Sequence, residues 1–201
     1  MGMCFNYQLW LERTSMDDHY NVILSDIFEP RQSLFPKQQN PIITKQGTKM
    51  MAQMARWGLI PSWAKEKSAG DRMFNARSET VDVKPSFKSS FQSKRCLVPA
   101  TGFYEYEKLD SGKRRPCLFK LKTGDLFSFA GLWSEWCDPA VGEIVVSYTI
   151  ITTMPNPLVA KVHDRMPVIL PKSAEQEWLD RPDKGLLKPI DESLMEMVCK
   201  V

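Results

Sequence analysis

Histidine is scarce in this chain of 201 residues: there are two, His19 and His163. The five cysteines form no C-x-x-C pair, so the donor set of a structural zinc site is missing and no metal centre is expected. No apolar run approaches the roughly 20 residues that span a bilayer, which excludes a membrane helix. The start carries neither the charged nor the apolar region of an export signal. Met1-Gly2 opens the chain, but Asn6 stands where myristoylation wants Ser or Thr. An odd cysteine count without an export signal argues for reduced thiols and against disulfides. Cys96, Cys117, Cys137 and Cys199 therefore read as small buried or half-buried hydrophobes. Repeats, low-complexity stretches and linkers are also missing, so the expectation is one domain over residues 1–201, in the cytoplasm.

What is present is ordinary for a soluble globular chain: 43% hydrophobic and 25% charged residues, with a formal net charge of +3. That balance permits an anionic partner without requiring one. The segment "SMDDHYNVIL" has a capping-box pattern from Ser15 to Asp18 and reads as a short helix. "EPRQSLFPKQQNP" reads as an irregular connector and "KMMAQMARW" as a strand. "LIPSWAKEKSAGDRMFNARSET" is long for a plain connection, the kind of loop that carries function. "SFKSSFQSK" reads as a helix. Then "RCLVPATGFYEYEKL", "RRPCLFKL", "LFSFAGLWSEW" and "VVSYTIITT" are separated by "DSGK" and "KTGD" turns, the pattern of consecutive antiparallel strands. "SAEQEWLD" reads as a capped helix. The fold class is α+β, dominated by strands.

Several residues could carry chemistry. Strand alternation in "GFYEYEK" puts Phe103, Glu105 and Glu107 on one face and Tyr104 and Tyr106 on the other. If that face is interior, desolvation raises the pKa of Glu105 and suits it to proton transfer; otherwise it is an exposed strand glutamate. His163, in "KVHDRMP", lies between a Pro-rich turn and a probable "VIL" strand, where it can act as an acid or base or be structural. His19 reads as structural. In "FNARSET", Asn75 can orient a reacting group and Arg77 can hold a phosphate, or the loop simply caps the next segment. "RWGLIPSW" places Arg56, Pro61 and Trp63 together, suited to stacking on or wedging between unpaired bases; Trp57 fits the core better. Clusters at Lys84, Lys88, Lys94 and Arg95 and at Lys113, Arg114 and Arg115 add positive charge or are solvated faces. Cys4, nearly terminal, is either an incidental hydrophobe or a nucleophile.

Taken in order, a near-terminal Cys, W-G-x-x-P-x-W, N-A-R-x-E-T, G-F-Y-E-Y and H-D-R-M-P resemble the SOS-response-associated peptidase family along the whole chain. The resemblance implies a curved, barrel-like antiparallel sheet with flanking short helices. It implies a sensor of abasic sites in single-stranded DNA that crosslinks to them covalently, with self-processing and lyase activity. Cys4 would be the nucleophile, exposed as the first residue by removal of what precedes it, with Asn75, Glu105 and His163 as its catalytic partners. Arg77 and Arg165 match positions that face DNA phosphate; Trp63 and Pro61, beside Arg56, lie where the family disturbs base stacking. No cofactor is required, and a monomer, nucleoid-associated when bound to DNA, is expected. The family commonly reads M-C-G-R where this chain has Met3-Cys4-Phe5-Asn6, so one expected phosphate contact is missing.

Two other readings stay open. A thiol peptidase acting on other proteins could use Cys4, His163 and Asn75. A non-catalytic single-strand binding module could use the tryptophans and basic loops alone.

Overall fold

Strands outweigh helices in the regular structure of the described residues. The computed structural model describes residues 4–22 and 28–199. In chain order these form β1 (Tyr7–Leu9), α1 (Arg13–Tyr20), β2 (Arg31–Leu34), β3 (Gln39–Gln46), β4 (Lys49–Trp57) and β5 (Asn75–Arg77). There follow α2 (Pro85–Ser93), β6 (Arg95–Ala100), β7 (Gly102–Lys108), β8 (Arg114–Leu121), β9 (Phe127–Cys137) and β10 (Ile144–Thr153). The chain continues through α3 (Pro157–Ala160), β11 (Met166–Pro167), β12 (Ile169–Leu170), α4 (Lys172–Asp180) and β13 (Met195–Cys199). No described helix is long and apolar enough to cross a membrane.

Five strands close on themselves in the order β10, β4, β3, β6, β9 and back to β10. Closure leaves this barrel without unpaired edges. A second sheet, ordered β13-β8-β7-β1-β2, lies against it. Phe103 of β7 stacks on Phe119 of β8 at 5.2 Å and meets Phe129 of β9 edge-on at 6.2 Å, so aromatic packing joins the two sheets. Inside, the Tyr7 and Tyr148 hydroxyls lie 2.9 Å apart, and Asn40 Nδ2 donates to Tyr148 at 3.0 Å, which gives both buried hydroxyls a partner. Buried Arg95 donates to the carbonyls of Phe91, Gln92, Trp178 and Leu179, which are the open ends of α2 and α4.

The expected barrel-like α+β architecture is present, with local departures. The supposed connector, residues 29–41, contains β2, which pairs with β1, and the start of β3, which pairs with β4. Helix α1 begins at Arg13 with Glu12 as N-cap, so Ser15 lies inside it; α4 follows Pro171 and has no side-chain cap either. Residues 23–24, the last two of the expected first helix, lie outside the described residues. The long loop after β4 contains a 3-10 turn, Lys67–Arg72, and strand β5, which runs parallel to β10, as does β4. Consecutive antiparallel pairing is thus incomplete.

The reading of all cysteines as reduced is corrected: Cys117 and Cys199 are disulfide-bonded. They stand directly opposite each other on β8 and β13, a pairing that a sequence separation of 82 conceals.

Candidate active site

Strand β7 is the base of the site. Its register carries past β1 into the residues before it: Tyr104 N donates to Asn6 O at 2.9 Å, and the Phe5 ring lies parallel to Tyr106 at 5.5 Å. Phe5 and Asn6 are therefore laid along a strand. Cys4 is 1% exposed, and its thiol points to Asn6 O at 3.7 Å. From β5, Asn75 Nδ2 donates to the Cys4 carbonyl at 2.8 Å. Asn75 is held there because β5, three residues long, pairs with Ile150–Thr152 of β10.

Glu105 is 2% exposed, on the face it shares with fully buried Phe103. The exposed-glutamate alternative is excluded. Burial, and secondarily the negative charge of Asp164, push its pKa up to about 8. It is therefore protonated at neutral pH. The Cys4 thiol is raised well above its ordinary value by burial and then by Glu105, with Asn6 acting the other way. Asn6 Oδ1, Asn75 Oδ1 and Glu105 Oε1 are buried acceptors without a hydrogen-bond donor among the described residues. Each such atom costs about 1–3 kcal/mol, and sites that receive a ligand are where such costs persist.

His163 sits on the turn after α3, fixed by its N–H bond to Val159 O at 2.9 Å. Its Nδ1 accepts from Arg165 N at 3.1 Å and lies 3.2 Å from the Asp164 carboxylate. The effect of Asp164 on Glu105 brings this turn to the same region. His19, by contrast, lies 3.1 Å from buried Glu175, and Ser128 donates to the same carboxylate oxygen. Its role is structural.

The arginines divide. Arg165 is buried, with Nη1 and Nη2 on the Glu79 carboxylate at 2.5 and 2.9 Å and a further bond from Nη2 to Thr152 O at 2.7 Å. Arg56 is buried on Asp71 and donates to Gly58 O at 3.0 Å. Both guanidinium groups are paired with acceptors of the protein itself, unlike the phosphate-facing placement expected for Arg165 and the place beside the stacking wedge expected for Arg56; charges this deep need fixed partners. Glu79 and Asp71, their partners, had no role in the sequence reading, although Glu79 lies within N-A-R-x-E-T. Arg77 is exposed. With Asn75, Arg72, Lys84, Val83 and Phe87 it lines a cavity of about 710 Å³, a basic groove with partly apolar walls.

Trp57 is fully buried, whereas Trp63 is 66% exposed. The loop presenting Trp63 is rigid. Buried Trp136 donates to Ala64 O at 2.6 Å, and Ile60 N donates to Ser147 Oγ at 2.8 Å. Pro61 is buried beside them. Gly58 starts this loop at φ +126°, where an added Cβ would stand 2.6 Å from Gly70 O. The glycine of W-G-x-x-P-x-W is thus required by backbone crossing backbone.

The structure therefore brings Cys4, Asn75 and Glu105 together with the His163 turn nearby. It places Trp63 on a separate rigid loop.

The chain is similar to known proteins along nearly its whole length. The SOS response associated peptidase (SRAP) family model matches residues 3–199. The abasic site processing protein YoqW of Bacillus subtilis (strain 168) is 40% identical over 203 residues, spanning 96% of this chain and 90% of its own. The abasic site processing protein YoaM of the same organism is 39% identical, spanning 96% and 89%. A crystal structure of a protein from Bacteroides thetaiotaomicron superposes with TM-score 0.87 at 29% identity, covering 98% of this chain and 91% of that one.

Proposed function

The chain belongs to the SOS response associated peptidase family, and from that premise we propose that it processes abasic sites in single-stranded DNA by covalent capture through Cys4. The open-chain abasic sugar is an aldehyde. A free α-amine on Cys4, with pKa about 7.7–8.0, condenses with it to an imine and releases one water. The Cys4 sulfur then adds to the imine carbon, and the thiol proton passes to nitrogen. The product is a five-membered thiazolidine. Only an N-terminal cysteine carries both nucleophiles on adjacent carbons.

That chemistry requires removal of Met1-Gly2-Met3. The Cys4 thiol attacks the Met3 carbonyl, the amide nitrogen leaves as the new amine, and water hydrolyses the thioester, regenerating the thiol. Glu105, protonated at neutral pH, donates to the departing amine and later to the sugar-ring oxygen and the imine-forming hydroxyl. His163 assists ring opening and the reversal of the crosslink, a lyase step. Asn75 holds the Cys4 backbone so that amine and thiol face the incoming sugar.

The observation that carries this reading is the burial and anchoring of Cys4 beside Glu105 and Asn75, at a position otherwise free to fray. The basic groove with Arg77 receives the backbone of a single strand, and exposed Trp63 wedges against stacking beside the lesion; Pro61, expected to share that contact, is buried and instead supports the Trp63 loop.

The test is an intact-mass spectrum after incubation with a single-stranded oligonucleotide carrying one abasic site. The expected masses are a chain beginning at Cys4 and an adduct equal to protein plus DNA less water. A chain trimmed to Cys4 that forms no adduct would overturn the proposal.

A further inference from the structure

Cys117 and Cys199 oppose each other across β8 and β13, with Cα atoms 3.9 Å apart. Directly opposed residues of an antiparallel pair share a face. The row continues onto β7, where Glu105 stands opposite Cys117. Two residues along that face is Glu107, and its carboxylate and the two sulfurs lie within 4.8 Å of one another. Arg115, opposite Glu107, donates from Nε at 2.9 Å and Nη2 at 2.5 Å, both to Oε2. Capture chemistry uses none of Cys117, Cys199, Glu107 or Arg115.

We propose that Cys117, Cys199 and Glu107 form a redox-gated site for one thiophilic divalent cation of the Zn²⁺ type. The disulfide closes the site, and reduction opens it. A dithiol reductant supplies two electrons and two protons, the S–S bond breaks, and the reductant leaves as its own disulfide. The cation then displaces both thiol protons to solvent. Metal–sulfur distances of about 2.3 Å and metal–oxygen distances of about 2.0–2.2 Å suit a tetrahedral site completed by water. The three donors already lie close enough that side-chain rotation alone reaches such distances. Two thiolates and a carboxylate carry three negative charges, which a divalent cation and Arg115 neutralise. Arg115 also orients the carboxylate from outside the coordination sphere. Cys117 is buried but Cys199 is only half-buried, which gives reductant and cation a way in. The β8–β13 ladder from Met195 to Cys199 keeps the thiols adjacent after reduction.

The test titrates the full chain with Co²⁺, oxidised or reduced by a phosphine that is then removed without air. Reduced protein should bind one Co²⁺ with sulfur-to-metal charge-transfer absorption, and Zn²⁺ should displace it; oxidised protein should show no such band. Cys199→Ser, at the half-buried position, should abolish the band while Cys4, Cys96 and Cys137 remain as control thiols. Glu107→Gln should weaken Zn²⁺ binding roughly tenfold or more. Equal binding by oxidised and reduced protein would overturn the proposal. So would a band that survives in Cys199→Ser, or Zn²⁺ affinity indifferent to Glu107→Gln.

Discussion

Asn75 and Cys4, 71 residues apart, are joined by a 2.8 Å hydrogen bond from the Asn75 amide to the Cys4 carbonyl. The bond fixes the Cys4 backbone from a different sheet. Asn75→Ala leaves that carbonyl unpaired, at a cost of about 1–3 kcal/mol in stability. Covalent capture should slow by roughly 10–100-fold, equivalent to about 1.4–2.7 kcal/mol. Single-turnover crosslinking on a denaturing gel reads the rate, and an unchanged rate would remove Asn75 from the site.

Glu105 gives a signed pH dependence. Its pKa rises from the ordinary 4.5 to about 8 in the folded chain, chiefly by burial. The folded state keeps this proton while the unfolded state loses it, so stability is full below pH 4.5 and declines as pH rises toward 8. Glu105→Gln removes that decline. At pH 8 the variant should be more stable than the parent by on the order of a few kcal/mol, and its capture rate should fall sharply. Thermal melts from pH 5 to pH 8.5 supply the check; parallel curves for both proteins would contradict a raised pKa.

Arginine variants should separate by placement. Arg77→Ala, at the exposed groove, should weaken single-stranded DNA binding and lower the salt slope by about 0.7, with little effect on melting. Arg165→Ala removes the ion pair to the half-exposed Glu79 carboxylate and should cost about 1–3 kcal/mol in stability. Binding isotherms across salt concentrations and thermal melts distinguish the two. Equal salt slopes for Arg77→Ala and the parent would place the phosphate path elsewhere.

Gly58→Ala is expected to destabilise by about 2–4 kcal/mol, since it combines a left-handed backbone with a Cβ 2.6 Å from Gly70 O. The Trp63 loop starts there, so single-strand binding should weaken as well. Denaturant melts followed by tryptophan fluorescence read both the stability and the loop, and a neutral substitution would show that the backbone crossing relaxes cheaply.

The sequence by itself determined the strands of the second half. Alternation in "RRPCLFKL" gave β8 with its observed bounds, and alternation in "GFYEYEK" put Phe103 and Glu105 on a common face. Periodicity reports which side of an element is apolar, because that depends on neighbours within a few residues. It does not report what the apolar side meets. Glu105 is buried because the second sheet closes against the barrel, and that contact comes from residues far along the chain. The same limit hid the Cys117–Cys199 bridge, the pairing of Arg165 with Glu79, and the parallel placement of Asn75 beside Ile150. Long-range register, fixed only when all strands pack together, decided each of them.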